Sequence, residues 1–319
     1  MQGIPEIALA WHRAGKGVAL ATVIETWGSA PRRVGAQLVV STDGDMEGSV
    51  SGGCVEGAVV VEALEAHEEG RARELEFGVS DGDAFAVGLA CGGKIRVLVE
   101  PVGSALPVSM LEDLVAARAA RQPVAYVVNT RTNARRLDHS GHETRFRMDR
   151  SGFEEDGESF VAIHNPPLRL IVVGAVHIAQ HLVSMARRIG YDPVVIDPRE
   201  SFASPSRFPD TQIMYDWPDE AVATLALDGR TALCLLTHDP KLDDPALEAA
   251  LRSGAFYIGA LGSTRTHAKR LERMQNAGFS EVDCARIHGP IGLDIGASGP
   301  SEIAVSILAE MTRVLRTGA

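Results

Sequence analysis

The sequence predicts an α/β protein, in which an N-terminal mixed α/β domain precedes a Rossmann-like domain with a doubly wound parallel sheet. Short apolar segments alternate with capped helical patterns after Pro167, which is typical of a parallel sheet covered on both faces. The consecutive prolines Pro166 and Pro167 indicate a linker before it. We therefore predict an N-terminal α/β domain with Gly-Cys loops (1–105), a less diagnostic α/β extension and connector (106–165) and the Rossmann-like domain (166–319).

The N-terminal region shows both periodicities. Segments rich in β-branched residues predict strands, and apolar residues at helical spacing predict helices. The strands are Val18–Thr26, Gln37–Ser41, Lys94–Glu100, Val124–Thr130 and Phe160–His164, and the helices are Cys54–Glu69 and about Pro107–Ala120. Residues 131–160 are polar and rich in turn formers, which predicts an irregular hairpin or connector.

The C-terminal region gives the clearest pattern. Its predicted strands are Leu168–Val173, Val194–Asp197, Gln212–Tyr215, Ala232–Thr237, Phe256–Gly259 and Ala285–His288. Between them we expect helices over about Val176–Ile189, from Pro245 behind an Asp244 cap, from Ser263 to Gly278, and from Pro300 onwards.

Composition excludes several classes of protein. A formal net charge of −11 argues against a nucleic-acid surface. No apolar run is long enough to insert into a membrane, and the first residues do not resemble a secretory leader. The four cysteines form neither a disulfide framework nor a CxxC motif. We expect a cytoplasmic protein with reduced thiols.

Two of the four cysteines lie in glycine-rich segments, Gly52-Gly53-Cys54 and Cys91-Gly92-Gly93. Glycine allows the backbone to approach a ligand closely, so each thiol would lie beside bare amide groups. This geometry suits a soft metal, an anion or an activated thiolate. The alternative is two small hydrophobic residues buried at tight turns.

A second group of candidates follows the carboxyl ends of the predicted parallel strands, where ligands bind in such sheets. Glycines, helix N-termini and arginines together predict a phosphate-binding surface there. Turn caps, surface ion pairs and packing residues are the alternative. The candidates are Gly174, His177, Asp197, Arg199, Thr237, His238, Gly259, Gly262, Ser263, Arg265, Gly292 and Asp294.

The loop after the first of these strands departs from the dinucleotide fingerprint G-x-G-x-x-G/A. Gly174 and Ala179 match its outer positions, but Val176 replaces the middle glycine and would crowd a pyrophosphate. Asp197 lies at the right spacing to bind a ribose hydroxyl. Nucleotide binding stays possible, whereas tight NAD(P) binding is disfavoured.

The chain resembles the xanthine dehydrogenase accessory protein family, which includes carbon monoxide dehydrogenase accessory factors. The resemblance spans nearly the whole chain and is weakest over about 105–165. It is carried by GSAPR (28–32), GSVSGGCVE (48–56), GLACGG (88–93), DPR (197–199), THD (237–239), YIGALGS (257–263), PIGLDIGA (290–297) and PSEIA (300–304).

The resemblance implies a carrier of the molybdenum cofactor, a molybdopterin, rather than a catalyst. Such a protein protects the cofactor, supports its sulfuration by a partner cysteine desulfurase and inserts it into an apo-molybdenum hydroxylase. The family's loop cysteine falls on Cys54, with Cys91 as its companion, and both become possible molybdenum contacts. Arg32 would balance a pterin phosphate, and Glu56 would contact a pterin edge or favour the first helical turn. A homodimer is expected.

Two other functions stay open. An NAD(P)-dependent oxidoreductase would use the Rossmann-like domain and Asp197. A thiol-based sulfur-transfer enzyme would use Cys54 as its nucleophile, with His177 or His238 as a base.

Overall fold

A computed structural model describes residues 3–78 and 93–318 of the chain. The chain divides into two compact units, Met1–Pro166 and Pro167–Ala319, and the division falls between the two consecutive prolines. Residues 106–165, which the sequence pattern sets apart as an extension, belong to the first unit.

The first unit combines two antiparallel sheets with helices. Its described elements are α1 (Ile4–Arg13), β1 (Val18–Trp27), β2 (Gln37–Ser41), β3 (Met46–Gly48), α2 (Glu56–Glu69), β4 (Arg73–Phe77), β5 (Lys94–Pro101), α3 (Val108–Ala119), β6 (Val124–Asn129), β7 (Arg135–Asp138), α4 (Glu143–Met148), β8 (Gly152–Phe153) and β9 (Ser159–His164).

The larger sheet of this unit has the strand order β3-β2-β1-β5-β4, and its central strand β1 is buried on both faces. Alternate residues of β1 enter two different cores. Val18 and Leu20 pack with α1 and α3, whereas Ala19 and Ala21 pack with α2. Because both faces are covered, β1 is apolar along most of its length, and its sequence predicts it well.

The smaller sheet has the order β7-β6-β9-β8, and both of its edge strands come from the segment expected to be irregular. Of the two alternatives expected for residues 131–160, an irregular connector is wrong, because β7, α4 and β8 lie there, whereas β7 does form a hairpin with β6. β7 and β8 are short edge strands, and of the charged residues of β7 Arg136 is exposed, whereas Arg135 is largely buried against Glu100. Such strands lack the apolar alternation by which a strand is recognised in a sequence.

The second unit alternates strands and helices. Its described elements are β10 (Leu168–Val173), α5 (His177–Arg188), β11 (Tyr191–Ile196), β12 (Gln212–Met214), α6 (Pro218–Leu225), β13 (Thr231–Leu235), α7 (Pro240–Leu251), β14 (Tyr257–Ala260), α8 (Thr264–Asn276), α9 (Glu281–Cys284), β15 (Ile287–His288) and α10 (Pro300–Thr317).

All six strands of the second unit form one parallel sheet in the order β12-β11-β10-β13-β14-β15. Counted within this unit, the order is 3-2-1-4-5-6, the order of dinucleotide-binding Rossmann domains. Leu170 and Val172 pack beneath α5 and α10, and Ile171 and Val173 pack against α6 and α7. The predicted doubly wound parallel sheet is confirmed.

Several helices differ from the expectation, among them α7 and α1. α7 begins at Pro240 rather than Pro245, because Asp239 caps it by accepting a 3.0 Å hydrogen bond from the Lys241 amide. Pro245 lies inside the helix. Asp239-Pro240 and Asp244-Pro245 are both sequences typical of a helix start, and α7 begins at the first pair. α1 was not predicted from the sequence. No described helix has the length and apolarity needed to cross a bilayer.

Candidate functional site

The loop before α2 is organised by the carboxylate of Glu56, which is only 6% exposed. It accepts hydrogen bonds from Ser49 Oγ at 2.7 Å and from the amides of Ser51 and Gly53 at 2.9 and 2.8 Å. The Ser51 hydroxyl also donates to it, and the Val50 amide does so at 3.2 Å. One helical side chain therefore holds most of the loop that precedes it.

These donors keep Glu56 ionised. Burial alone would raise the pKa of this carboxyl, but hydrogen bonds from Ser51, Ser49 and the loop backbone lower it to about 2. These donors all belong to the loop immediately before α2. Glu56 therefore acts on the loop rather than toward the outside, a role closer to supporting the helix start than to contacting a ligand.

Two left-handed glycines turn the chain outward at Cys54. Gly52 and Gly53 have φ values of +76° and +112°, a region that favours glycine. No atom lies within 4 Å of the position that a Cβ on Gly53 would take. Cys54 is exposed, and its thiol is free. Within the described residues, the Cys54 amide donates no hydrogen bond.

The loop that contains Ser29 and Pro31 packs against two of the glycines, Gly52 and Gly93. A Cβ on Gly52 would lie 3.8 Å from Pro31, and one on Gly93 would lie 2.8 Å from the carbonyl oxygen of Ser29. Gly93 must therefore be glycine for the two backbones to meet. Arg32 in this loop is exposed. The predicted companions Cys91 and Gly92 lie outside the described residues.

The first unit also contains a cavity of about 790 Å³ that the sequence did not reveal. It lies beside the same loop, because Arg33 and Val34 are among its lining residues. Arg145 and Arg150 add positive charge, and Glu25 adds negative charge. The side chains come from β1, α4 and the segments around them, so only the tertiary structure brings them together.

In the second unit, Gly174 lies where the strand order reverses. It has φ +104°, and a Cβ there would lie 2.6 Å from Thr237 Cγ2 at the end of β13. The backbone at the end of β10 therefore packs directly against the Thr237 side chain, which follows β13. This is the crevice in which Rossmann domains bind ligands.

Asp197 is fully buried at the end of β11, and its carboxylate is already engaged. It accepts hydrogen bonds from the Ala175 amide at 2.9 Å and from two guanidinium nitrogens of Arg199 at 2.8 Å each. Burial would raise the pKa of Asp197, but the bonds from Arg199 and Ala175 lower it. Arg199 also lies over the Phe202 ring, 4.3 Å from its centroid. Asp197 thus braces the loop after β10.

The two candidate histidines are both exposed. His177 begins α5, with its ring centroid 5.2 Å from that of His181. His238 has φ +64°, a left-handed conformation uncommon for a residue other than glycine. Val176 precedes α5 in an extended conformation, and its side chain packs against the core on the α5 side of the sheet.

The remaining candidates form helix starts and close packing. Ser263 caps α8 by accepting from the Thr266 amide at 3.2 Å, and Gly262 before it has φ +147°. Arg265 follows on the first turn and is exposed. A Cβ on Gly259 would lie 2.6 Å from Ile291 Cδ1, so the absence of a side chain here leaves room for Ile291 to pack against β14.

Gly292 and Asp294 lie after β15. The Gly292 amide donates to Glu310 at 2.8 Å, whereas Asp294 is exposed. Glu310 itself was not predicted. Only 6% exposed, it also accepts from the Tyr257 hydroxyl at 2.7 Å. Burial would raise its pKa, but bonds from His288, Tyr257 and Gly292 lower it to about 2. The sequence signal was an acidic residue on the apolar face of α10.

Asp243 and Arg270 were missed as well. Both are almost completely buried, at 1% and 2% exposure, and both line a pocket at the ends of β13 and β14. Thr237 donates to Asp243 Oδ1 at 2.6 Å. Each lies on a helix whose exposed face is equally charged, so the sequence does not distinguish them from surface residues.

Comparisons with known proteins agree over both units. Residues 170–311 match the family model described as the XdhC Rossmann domain, and residues 11–78 match that of the XdhC and CoxI family. The molybdenum cofactor insertion chaperone PaoD of Escherichia coli is 35% identical over 302 residues, which cover 94% of this chain and 84% of PaoD.

Two further relatives extend over similar lengths. A protein of Bacillus subtilis described as a probable xanthine dehydrogenase subunit is 25% identical over 308 residues, covering 92% of this chain and 91% of that protein. A crystal structure described as a xanthine dehydrogenase from Bacillus halodurans superposes with a TM-score of 0.73 at 27% identity, covering 100% of this chain and 97% of that one. The resemblance expected from the sequence motifs is thus confirmed, and the chain belongs to the XdhC and CoxI family.

Proposed function

We propose that this chain is an accessory protein that binds the molybdenum cofactor, protects it and inserts it into a molybdenum hydroxylase of the xanthine or carbon monoxide dehydrogenase type. The observation that carries the proposal is the exposed thiol of Cys54, presented by a loop that Glu56 holds from within. The relationship to PaoD, a molybdenum cofactor insertion chaperone, supports it over 94% of the chain.

The chemistry of the loop suits this cargo. Molybdenum accepts soft sulfur donors, and Cys54 supplies one in an open position above two glycines. The bare Cys54 amide and the N-terminus of α2 favour negative charge beside the thiol. Arg32 in the adjacent loop would balance a pterin phosphate, and Cys91 is proposed as the companion thiol. Glu56 is a positioning residue.

The proposed cycle requires protein partners. An apo-molybdenum hydroxylase would receive the cofactor, and a cysteine desulfurase would supply the sulfido ligand while the cofactor is held. A homodimer would offer separate docking surfaces to these partners. In this proposal the chain is a carrier, and its own residues bind, orient and release.

The proposal is tested by co-expressing the chain with the enzymes of cofactor biosynthesis and measuring bound pterin as its fluorescent oxidation product. We expect pterin with the wild-type protein and a loss of at least about tenfold in Cys54→Ala, because a metal–thiolate contact is removed. Cys284→Ala is the matched control, since that thiol is buried at the end of α9. Pterin at background, or equal pterin in the two variants, would refute the proposal.

A nicotinamide-dependent oxidoreductase is the second candidate, favoured by the 3-2-1-4-5-6 strand order. Such an enzyme would need the Asp197 carboxylate to bind a ribose hydroxyl. That carboxylate already accepts hydrogen bonds from Arg199 and from the Ala175 amide. Titrating NAD(H) and NADP(H) by calorimetry separates the two functions. Sub-millimolar binding would favour the oxidoreductase.

A further inference from the structure

The cavity of about 790 Å³ in the first unit is here named the β1–α4 cavity. Its volume lies within the range of about 300–1,000 Å³ that small-molecule sites have in proteins. Apolar and charged side chains both contribute to its walls, a composition that suits a ring with polar groups at its edges. The lining residues used below are Glu25, Arg33, Val34, Met148, Arg150 and Phe153.

Glu25 brings a carboxylate to this cavity. The register of β1 against β5 shifts between Val23 and Glu25, which marks a β-bulge, and bulges re-aim side chains beside binding sites. Arg96 donates to Glu25 Oε2 at 2.6 Å, whereas Oε1 accepts no hydrogen bond from the described residues, and the side chain is 34% exposed. Because a carboxylate has about four acceptor positions, Glu25 is held by Arg96 and still has acceptors for a ligand.

The apolar part of the lining offers a surface for a flat ring. Val34, Met148 and Phe153 are all partly buried and line the cavity. The Phe153 ring packs edge-on against Phe160, with 5.4 Å between the ring centroids, and Arg96 lies 5.6 Å from the Phe153 centroid. Since both neighbours restrict Phe153, its ring forms a pre-organised aromatic wall against which a planar ligand can pack.

Positive charge dominates the polar part of the lining. Three arginines line the cavity, Arg33, Arg145 and Arg150, together with two carboxylates, Glu25 and Asp149. The carboxylate on β1 is already in an ion pair with an arginine of β5, so it cancels little of this charge. A cationic cavity in a chain whose formal net charge is −11 favours a ligand that carries an anionic group.

One short segment connects this cavity with the Cys54 loop. Arg33 lines the cavity, and Pro31 lies 3.8 Å from the position that a Cβ on Gly52 would take. The Cα atoms of Pro31 and Arg33 are at most about 7 Å apart, because one residue spans no more than about 3.6 Å. The cavity and the loop that presents Cys54 are therefore neighbours within the first unit.

We propose that the β1–α4 cavity binds the pterin ring of the cofactor, with the amino-pyrimidinone edge of the ring against Glu25. This inference rests on the proposed function and adds the residues that recognise the organic part of the cargo. The edge carries adjacent N–H donors, which a carboxylate accepts. In molybdopterin the phosphate and the metal lie at the opposite end of the ring system. Binding the edge at Glu25 leaves the metal for Cys54 and the phosphate for Arg32 and Arg33.

This arrangement distinguishes pterin from lumazine, a pteridine with an oxygen in place of the 2-amino group. In lumazine that oxygen would face the Glu25 carboxylate, and two acceptors cannot form a hydrogen bond. A site built to bind a donor discriminates strongly against a ligand that lacks it. Guanine presents the same edge as pterin, so a guanine nucleotide is the other source of this chemistry, and the proposed function favours pterin.

The test uses full-length protein from cells that lack cofactor biosynthesis. Binding of metal-free pterin and of lumazine is followed by the fluorescence anisotropy of each ring, with GMP as a competitor. We expect pterin to bind at least about tenfold more tightly than lumazine. We also expect an equal concentration of GMP to leave pterin bound. Displacement of pterin by GMP would assign the cavity to a guanine nucleotide and overturn the proposal.

Glu25→Gln should remove the preference for pterin over lumazine, because the amide offers both a donor and an acceptor. Glu74→Gln is the matched control and should retain the preference. Arg96 donates to Glu74 at 2.6 Å, as it does to Glu25, but Glu74 is not among the described residues that line the cavity. Both variants thus take one carboxylate from the same arginine, and only one of them changes the cavity.

A second pair of variants decides the matter if Glu25→Gln fails to fold. Thr144→Trp should block both ligands, because Thr144 is exposed on α4 and an indole there would fill the cavity that it lines. Arg147→Trp, on the same helix but outside the described lining, should bind both as the wild type does.

The proposal is overturned by absent pterin binding, by equal affinity for pterin and lumazine in the wild type, or by wild-type binding in Thr144→Trp. These outcomes are separable from those of the carrier function. If free pterin does not bind but the co-expressed protein retains pterin through Cys54, the cavity is refuted and the carrier function stands. If free pterin binds with the expected preference but no cofactor is retained on co-expression, the carrier function is refuted and the pterin site stands.

Discussion

At the scale of single residues, the structure separates buried side chains that hold the loops from exposed side chains beside them. The sequence groups Glu56 with Cys54, because the two are adjacent in one motif. The structure gives them different roles, since Glu56 is buried and accepts bonds from Ser49, Ser51 and Gly53, whereas Cys54 is exposed. The same division applies to Asp197, whose position in the chain resembles a ribose ligand but whose oxygens bind Ala175.

Replacing Glu56 by glutamine should destabilise the protein by about 2 kcal/mol at neutral pH, because a buried acceptor of several bonds loses its charge. The pKa of Glu56 is lowered in the fold, so its stabilisation is present above the ordinary glutamate pKa and is lost as pH falls toward about 2. Urea unfolding between pH 7 and pH 2.5 measures this.

The wild type should lose stability more steeply than Glu56→Gln across that acid range. Glu47→Gln is the matched control, since Glu47 is exposed on β3. Parallel pH profiles for the wild type and Glu56→Gln would contradict the role given to this carboxylate.

At the scale of elements, the short distance between the ends of two neighbouring strands limits which side chains fit at those ends. Gly174 ends β10 against Thr237, and a side chain there would meet both an unfavourable φ and a steric clash. Gly190 after α5 has a similar φ of +93° but has open space around it. Substitutions at these two glycines therefore distinguish the cost of backbone strain from the cost of a steric clash.

Gly190→Ala should cost about 1 kcal/mol of unfolding free energy, because alanine is strained in a left-handed conformation. Gly174→Ala should cost roughly 2 kcal/mol more, because the new methyl group overlaps Thr237. Urea midpoints of the two variants, measured at one pH, give the difference. Equal midpoints would mean that β10 and β13 do not meet as closely as described.

At the scale of the whole molecule, each sheet lies within one unit, and each unit has its own apolar core. The second unit places β10 at the centre of its sheet, between β11 and β13. This arrangement is expected of a region that folds without the other.

A fragment of residues 167–319 should fold alone, with a cooperative urea transition and far-ultraviolet circular dichroism typical of an α/β protein. A fragment of 174–319, which lacks β10, is the control and should remain unfolded because two strands lose their shared neighbour. A non-cooperative transition in the longer fragment would show that its core requires the first unit.

The sequence by itself determined the Rossmann-like sheet, the glycine-flanked cysteine and the family, because buried strands, helix caps and ordered motifs are local patterns. It also predicted the start of α8 at Ser263 correctly. It missed the strands β7 and β8 in 131–160, because short edge strands carry no apolar period. Only the tertiary structure decided the partners of Glu56, Asp197 and Glu310. Their carboxylates accept hydrogen bonds from backbone amides of loops, and no periodicity or motif in the sequence predicts such bonds. The pocket lined by Asp243 and Arg270 has the same origin, since these two residues line one pocket only when two helices pack on one sheet.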